Sequence, residues 1–304
     1  MKKKIIIRLS NNLGNQMFMY ASAYAFAKKL DRDLLVDDET AYKTKGNIHK
    51  YSLDMFNFYS KIAPVNLKFL SKSGYLKRKI FKYLDKFKKN KNFYIEPKDI
   101  NKNTFFYKDA LVGNFNDCLF VEGHFETEKY FYHHAEEIKN EFIFKNAYIL
   151  KNNPFYNDIK KSNSVCICVR QNRFSERKRI ITNKDNENSL IFIKDQISYI
   201  KKAIEIIKTK DSNLKFFLWS NDHKNLNNYF PSNEFVTVAT NKIDSDFFLM
   251  TQAKHFIVTP SSFSWWGAWL ADNKEKIVLR PSDIHFSNFR LNNKDFWPNS
   301  WTIV

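Results

Sequence analysis

Residues 255–270 read His-Phe-Ile-Val-Thr-Pro-Ser-Ser-Phe-Ser-Trp-Trp-Gly-Ala-Trp-Leu. The first four are an apolar strand candidate, Ser261 and Ser262 make a polar turn, and three tryptophans follow at the spacing of a buried helix. Strand, turn and helix in this order form the unit from which parallel sheets are built. Hydroxyls at a helix start can cap its first amides, and those amides together with the helix dipole favour an anion such as a phosphate. A serine-capped core helix without a ligand is the plainer account of the same residues.

The alternation extends upstream and downstream. Predicted strands at 165–169, 215–219, 234–238 and 277–279 alternate with helical patterns at 190–208 and 245–253, the first carrying Ile191, Ile197, Ile200, Ile204 and Ile207 near one stripe. The opening forty residues repeat the theme: strand 4–9, a loop with Gly14, helix 17–30 and strand 33–36. That loop holds one glycine where a dinucleotide fingerprint needs three, which excludes the fingerprint. Residues 67–144 read as helical and basic, and 145–164 turn to Asn, Lys and Asp with Pro154, as a domain connection does. The expected organisation is α/β in two domains, 1–155 and 156–304.

A chain of 304 residues suits two domains, each of about 150 residues. No apolar run reaches the roughly 20 residues that span a bilayer, and the run at Ile5 to Ile7 is too short for a secretory core, so a cytosolic protein is expected. Cys166 and Cys168 share one face of a predicted strand and read, with Cys118, as reduced thiols. Paired Cys or His spacings are lacking, so no metal is expected. The net charge of +18 is partly local, since residues 67–92 hold ten Lys or Arg and one acid, with Leu76, Ile80, Phe81, Leu84 and Phe87 at helical spacing. This basic amphipathic pattern fits an anionic lipid surface, a polyanion or a solvated surface helix.

Ligands of open parallel sheets bind beyond the carboxyl ends of the strands. There the predicted strands end in Arg170, in Asn221 and Asp222, and in Ser261 and Ser262. A cation that binds phosphate through two parallel hydrogen bonds, a carboxylate for ribose or base, and a helix start together suit a nucleoside diphosphate. Asp246 is a second candidate for ribose or base, and Arg170 paired with Asp222 is the structural alternative. Asn15 and Gln16, on the facing loop, can orient a sugar or serve the turn itself.

Asn12, Leu13, Gly14, Asn15, Gln16, Met17, Phe18, Tyr20 and Ala21 resemble the amino-terminal signature of the bacterial α-1,2-fucosyltransferases, glycosyltransferase family 11. Asp246, Leu249, Met250, Lys254, His255 and the run from Ser261 through Leu270 resemble its carboxy-terminal signature, and Gly123, Phe125, Glu128, Lys129, Tyr130 and Phe131 its middle element. The chain departs where the family reads His-x-Arg-Arg-Gly-Asp: here stand Cys168, Val169, Arg170, Gln171, Asn172 and Arg173.

The resemblance implies a GT-B-like architecture of two Rossmann-like lobes with parallel sheets facing a cleft. It implies GDP-β-L-fucose as donor in the second lobe, an acceptor glycan mainly at the first near Gly14, Asn15 and Gln16, and inversion without a divalent metal or cofactor. Arg170 then holds the β-phosphate, assisted by Ser261, Ser262 and Phe263 at the helix start. Asp246 contacts guanine, and Glu176 is the candidate base. A galactose-terminated acceptor in surface-polysaccharide synthesis follows, and the basic segment 67–92 would hold the enzyme on the inner membrane face. Two other readings stand beside this one: a transferase of another nucleotide sugar, and a non-enzymatic polyanion-binding protein. Nucleic acid is not the expected partner, because it has no use for a serine turn at a strand end.

Overall fold

The computed structural model describes residues 2–43, 48–99, 104–108, 111, 113–176, 178, 180–283, 286 and 293–304. The chain divides into two units, Met1–Lys145 and Asn146–Val304.

In the first unit the apolar strand β1 (Lys4–Arg8) leads to helix α1 (Leu13–Lys29) and strand β2 (Asp33–Asp37). Asn11 adopts a left-handed turn (φ 61°) and Asn12 takes the N-cap, so α1 begins before its apolar run does. Gly14, Asn15 and Gln16, expected in a loop, are therefore residues of its first turn. Strand β3 (Lys61–Ile62), helix α2 (Ser71–Asp85), strand β4 (Lys91–Ile95), the antiparallel pair β5 (Lys98–Asp99) and β6 (Thr104–Phe105), strand β7 (Phe115–Glu122) and helix α3 (Ala135–Glu141) follow. The sheet order is β3-β2-β1-β7-β4, with each neighbouring pair parallel.

This corrects the reading of residues 67–144 as simply helical, since β7 lies beside β1 in the middle of the sheet. After Phe115 it enters through Asn116, half-covered, and Asp117, exposed, and these polar residues hide the strand in a search for apolar runs. The interior strand β1 shows the opposite pattern, with Ile5, Ile6 and Ile7 buried because helices cover both faces of such sheets.

The second unit opens with α4 (Ala147–Leu150) and α5 (Pro154–Lys161), and Asn153 caps α5 through a hydrogen bond from the Phe155 N–H at 3.0 Å. Tyr156 stacks on Phe248 with centroids 5.9 Å apart, and Asp158 accepts from Lys215 at 2.6 and 2.7 Å. These contacts tie α5 to the second unit, which begins at Asn146, ten residues before the expected 156. Strand β8 (Asn163–Val169), helix α6 (Asn183–Lys210), strands β9 (Leu214–Ser220) and β10 (Phe235–Thr237), and helix α7 (Ile243–Thr251) come next. Strand β11 (His255–Ile257), helix α8 (Ser262–Leu270), strand β12 (Val278–Arg280), helix α9 (Asn293–Phe296) and strand β13 (Thr302–Ile303) complete the order.

A capping box starts α6: the Thr182 hydroxyl oxygen accepts from the Asp185 N–H at 3.3 Å, and Asp185 accepts from the Thr182 N–H at 3.0 Å. The second sheet runs β10-β9-β8-β11-β12-β13, again parallel at each neighbouring pair. Its core gathers Val165, Ile167, Ile200, Ile204, Leu218 and Ile257.

Helix α8 is the buried helix that its tryptophans suggest. Trp265 and Trp266 are fully covered, and Trp265 Nε1 donates to the carbonyl of Phe296 at 2.8 Å. Gly267 lets α7 approach: a Cβ there would lie 2.4 Å from Met250 Sδ. Among the described residues no helix is long and apolar enough to cross a membrane.

Candidate active site

In the second unit the chain leaves β8 toward β9 and β10, then returns to the other flank of β8 with β11 and β12. The strand order thus reverses between β8 and β11, and such a switch point opens a crevice at the carboxyl ends of its strands. Arg170 follows β8, and Ser261 with α8 follows β11.

Arg170 is anchored through its backbone. Its N–H donates to Gln196 Oε1 at 2.9 Å and its carbonyl accepts from Gln196 Nε2 at 3.0 Å, while Gln196 itself is fully buried within α6. The guanidinium donates to Glu176 Oε1 from Nε at 3.1 Å and also from Nη2. Asn221 Nδ2 donates to the other oxygen, Glu176 Oε2, at 2.7 Å. Arg170 therefore pairs with Glu176 and not with Asp222, the partner suggested by strand-end proximity alone. Asp222 staples the loop instead, accepting from Asn172 Nδ2 at 3.0 Å and from the Lys224 N–H at 2.9 Å.

Two further bonds join the ends of β8 and β11. Thr259 Oγ1 donates to the carbonyl of Cys168 at 2.9 Å, and Arg173 Nη1 to the carbonyl of Pro260 at 2.9 Å. Arg173 also lies 4.9 Å from the ring centroid of Phe192. Ser261 occupies the N-cap of α8 but makes no side-chain cap bond, contrary to the capping role its position suggests. Phe263, the second residue of α8, packs on Phe247 with ring centroids 4.9 Å apart.

Asp246 Oδ1 accepts from the N–H and hydroxyl of Thr240, at 3.2 and 2.9 Å. Burial raises the pKa of its carboxyl, against the two Thr240 bonds and the charge of His223, which lower it. The half-buried thiol of Cys168 is pushed up to about 12 by desolvation, with Arg170 pulling the other way. Among the described residues no group of three or more His, Cys, Asp or Glu could hold a metal ion.

The first sheet has its own switch point, between β1 and β7. Asn15 Nδ2 donates to Glu126 Oε1 at 2.5 Å, linking the start of α1 to the loop after β7. Gln16 is fully buried and committed to the chain itself: Nε2 donates to the carbonyls of Asn11 and Lys50, each at 2.8 Å, and Oε1 accepts from the Ser52 N–H at 2.9 Å. Of the first-turn residues, Asn15 is thus the one half-open to solvent, while Gly14 and Gln16 are structural.

Behind Glu126 lies Glu96, buried, accepting from the His124 N–H at 2.6 Å. Gly123 is required there, since a Cβ would fall 2.4 Å from that of Glu96. Phe125 adopts φ 51°, a left-handed conformation unusual for a bulky residue and found preferentially at functional turns.

Desolvation lifts the Glu96 carboxyl from its ordinary 4.5 to about 7. A carboxyl raised in this way binds its proton more tightly when folded. Its stabilising contribution is complete below about pH 4.5 and is lost as pH climbs to about 7, an effect of about 3 kcal/mol. The urea midpoint of Glu96→Gln relative to the parent chain should therefore rise between pH 5 and pH 7 and level off above. A constant difference over that range would show that Glu96 titrates normally.

Arg173, Gln196, Glu96 and Glu126 escape a reading of the sequence. Arg173 had one signal, a cation standing where the resembled motif carries an acid.

Two parallel sheets, each with its own switch point, give the chain a GT-B-like α/β fold. The sequence model of Glycosyl transferase family 11 matches residues 1–304, and the chain belongs to that family. It is 27% identical over 305 residues to an α-1,2-colitosyltransferase of Escherichia coli, covering 99% of this chain and 98% of the relative. It is 27% identical over 298 residues to the O-antigen biosynthesis glycosyltransferase WbnK of Escherichia coli, covering 90% and 92%. In fold it is similar to the fucosyltransferase NodZ from Bradyrhizobium, with a TM-score of 0.51 at 12% identity over 88% of this chain and 92% of that one.

Proposed function

We propose that the protein transfers L-fucose from GDP-β-L-fucose to the 2-hydroxyl of a galactose-terminated glycan, with inversion, without a metal ion or cofactor, in the assembly of a surface polysaccharide. The observation that carries this reading is Arg170 at the switch point, its backbone held by a buried glutamine at the end of β8, the strand paired with the one that leads into α8.

In the reaction the acceptor oxygen forms a bond to the anomeric carbon of fucose as the bond from that carbon to the β-phosphate oxygen breaks. GDP leaves with the electron pair, and the hydroxyl proton passes to a carboxylate. Arg170 and the amides of Ser262, Phe263 and Ser264 neutralise the charge that grows on the diphosphate. Asp222 and Asp246 receive hydrogen bonds from ribose and guanine. Before donor binding Glu176 aligns Arg170. The arriving diphosphate competes for the guanidinium and frees Glu176 to accept the proton. Asn15 and Glu126 contact the acceptor sugar, while Gly14 and Gln16 support that turn from within.

A second donor has a specific observation in its favour, the near full-length similarity to an α-1,2-colitosyltransferase. Colitose is fucose lacking the 3-hydroxyl, so both sugars suit the same diphosphate site. A site that hydrogen-bonds that hydroxyl rejects the deoxy sugar about 10⁴-fold, whereas an apolar site does not. The test has two stages. Thermal unfolding is measured with GDP, UDP and ADP, and stabilisation by GDP alone is expected. Transfer to lactose is then followed with GDP-fucose and GDP-colitose, and product linkage is read by NMR. Stabilisation by UDP or ADP in place of GDP would overturn the donor class. Transfer from GDP-colitose alone would replace fucose by colitose.

A further inference from the structure

Helix α2 is mounted with its apolar side outward. At 3.6 residues per turn, Gly74, Arg78, Phe81, Lys82 and Asp85 form one stripe, and these are the residues covered by the rest of the lobe. The stripe is largely ionic. Arg78 Nε donates to Glu122 Oε1 at 2.6 Å, and Lys82 Nζ to Glu122 Oε2 at 2.7 Å. The Asp85 carboxylate accepts from the N–H groups of Asn92, at 2.8 and 3.0 Å, and of Phe93, at 3.0 Å.

Leu76, Ile80, Tyr83, Leu84 and Phe87 repeat that spacing displaced by two positions, which is about 200° around the helix. They are 58%, 51%, 59%, 50% and 76% exposed. An ordinary surface helix buries such a stripe and shows its charges to water; here the two are exchanged. Contiguous exposed apolar surface of this kind marks an interaction site.

Charge selects the occupant. Lys72, Lys79 and Lys86 run along one edge of the stripe and Lys77 along the other, while Asp85, the one acid of residues 67–92, is buried. Lys79 lies 4.8 Å from the ring centroid of Tyr75 and Lys86 5.8 Å from that of Tyr83, so the ammonium groups flank the apolar side chains directly. A second copy of the same helix would set lysine against lysine. An apolar interior beneath an anionic surface satisfies both features at once. We propose that α2 docks the protein on an anionic lipid bilayer, with Leu76, Ile80, Tyr83, Leu84 and Phe87 at the acyl boundary and the lysines among the headgroups.

This surface is independent of the donor reading, and its test needs no turnover. The full chain is sedimented with vesicles of phosphatidylcholine alone and of phosphatidylcholine mixed with phosphatidylglycerol. Binding to the mixed vesicles, weakened by salt, is expected. The double variant Ile80→Asn with Leu84→Asn should lower that partitioning about tenfold or more, since it removes apolar groups from the acyl boundary. Because both positions are exposed, its thermal midpoint and elution volume should match the parent. Lys79→Gln with Lys86→Gln should reduce binding to the anionic vesicles and leave the neutral ones unaffected.

Failure of the parent chain to sediment with anionic vesicles would overturn the proposal, as would equal binding by the apolar variant. A lowered thermal midpoint or a shifted elution volume of that variant would also overturn it, assigning the stripe to packing within the chain or between copies.

Discussion

Arg170→Ala should lower kcat/KM with GDP-fucose by about 2–4 kcal/mol of transition-state stabilisation, the scale of one preorganised donor to a developing anion. The reasoning starts from the anchor. Gln196 holds both backbone polar groups of Arg170, so truncating the side chain removes the guanidinium and leaves the crest in place. The loss should appear chiefly in kcat, because the charge on the leaving diphosphate grows toward the transition state. Arg170→Lys should recover little, since a point charge cannot reproduce two parallel hydrogen bonds. The neighbouring Glu176→Gln separates two roles of the carboxylate: loss of kcat at unchanged GDP affinity marks a proton acceptor, and loss of GDP affinity marks an aligning group. Unchanged kcat/KM in Arg170→Ala would place the diphosphate elsewhere.

Trp265→Ala should destabilise the second unit by about 3–5 kcal/mol, a large share of the roughly 5–15 kcal/mol that holds a domain folded. Trp265 is fully buried between Trp266, Trp269 and Trp301, with centroids 5.0, 6.0 and 5.6 Å away. Its indole N–H also satisfies the carbonyl of Phe296, joining α8 to the carboxy-terminal segment. Truncation therefore leaves both a cavity and an unpaired buried carbonyl. Trp265→Phe keeps most of the packing and strands only the carbonyl, so about 1–3 kcal/mol is expected. The urea midpoint of each variant decides, and a shift for Trp265→Ala no larger than for Trp265→Phe would mean that the cavity collapses.

The second lobe was legible because its strands are covered on both faces and appear as unbroken apolar runs, as in β8 and β9. The first lobe was less so. β7 enters through Asn116 and Asp117, and a pattern that looks for apolar runs passes over it. In α2 the periodicity was plain, but periodicity reports a stripe without saying which way it faces. The ionic partner that turns it outward, Glu122, lies 44 residues from Arg78 in the chain.

The same distance in sequence limited the site. Arg170 was legible as the residue following a strand, whereas Gln196 reaches it from the middle of a helix 26 positions away. Glu176 was found beside Arg170, but its two oxygens are shared between Arg170 and Asn221, a partnership set by two strand ends at once. Asn15 and Gln16 looked equivalent in a polar loop. One helical step separates them in fact, and that step buries Gln16 and leaves Asn15 half-open.

The Gln196 clamp has an evolutionary consequence. Because α6 fixes where the guanidinium begins, the segment following Arg170 is relieved of that duty and its composition is free to drift. Gln171, Asn172 and Arg173 stand where the resembled motif carries Arg, Gly and Asp, and each side chain ties the rim in place: Gln171 to the carbonyls of Asp222 and Lys224, Asn172 to the Asp222 carboxylate, and Arg173 to the carbonyl of Pro260. On the proposed reading, substitutions in this rim can change the sugar accepted there while Arg170 stays where Gln196 holds it.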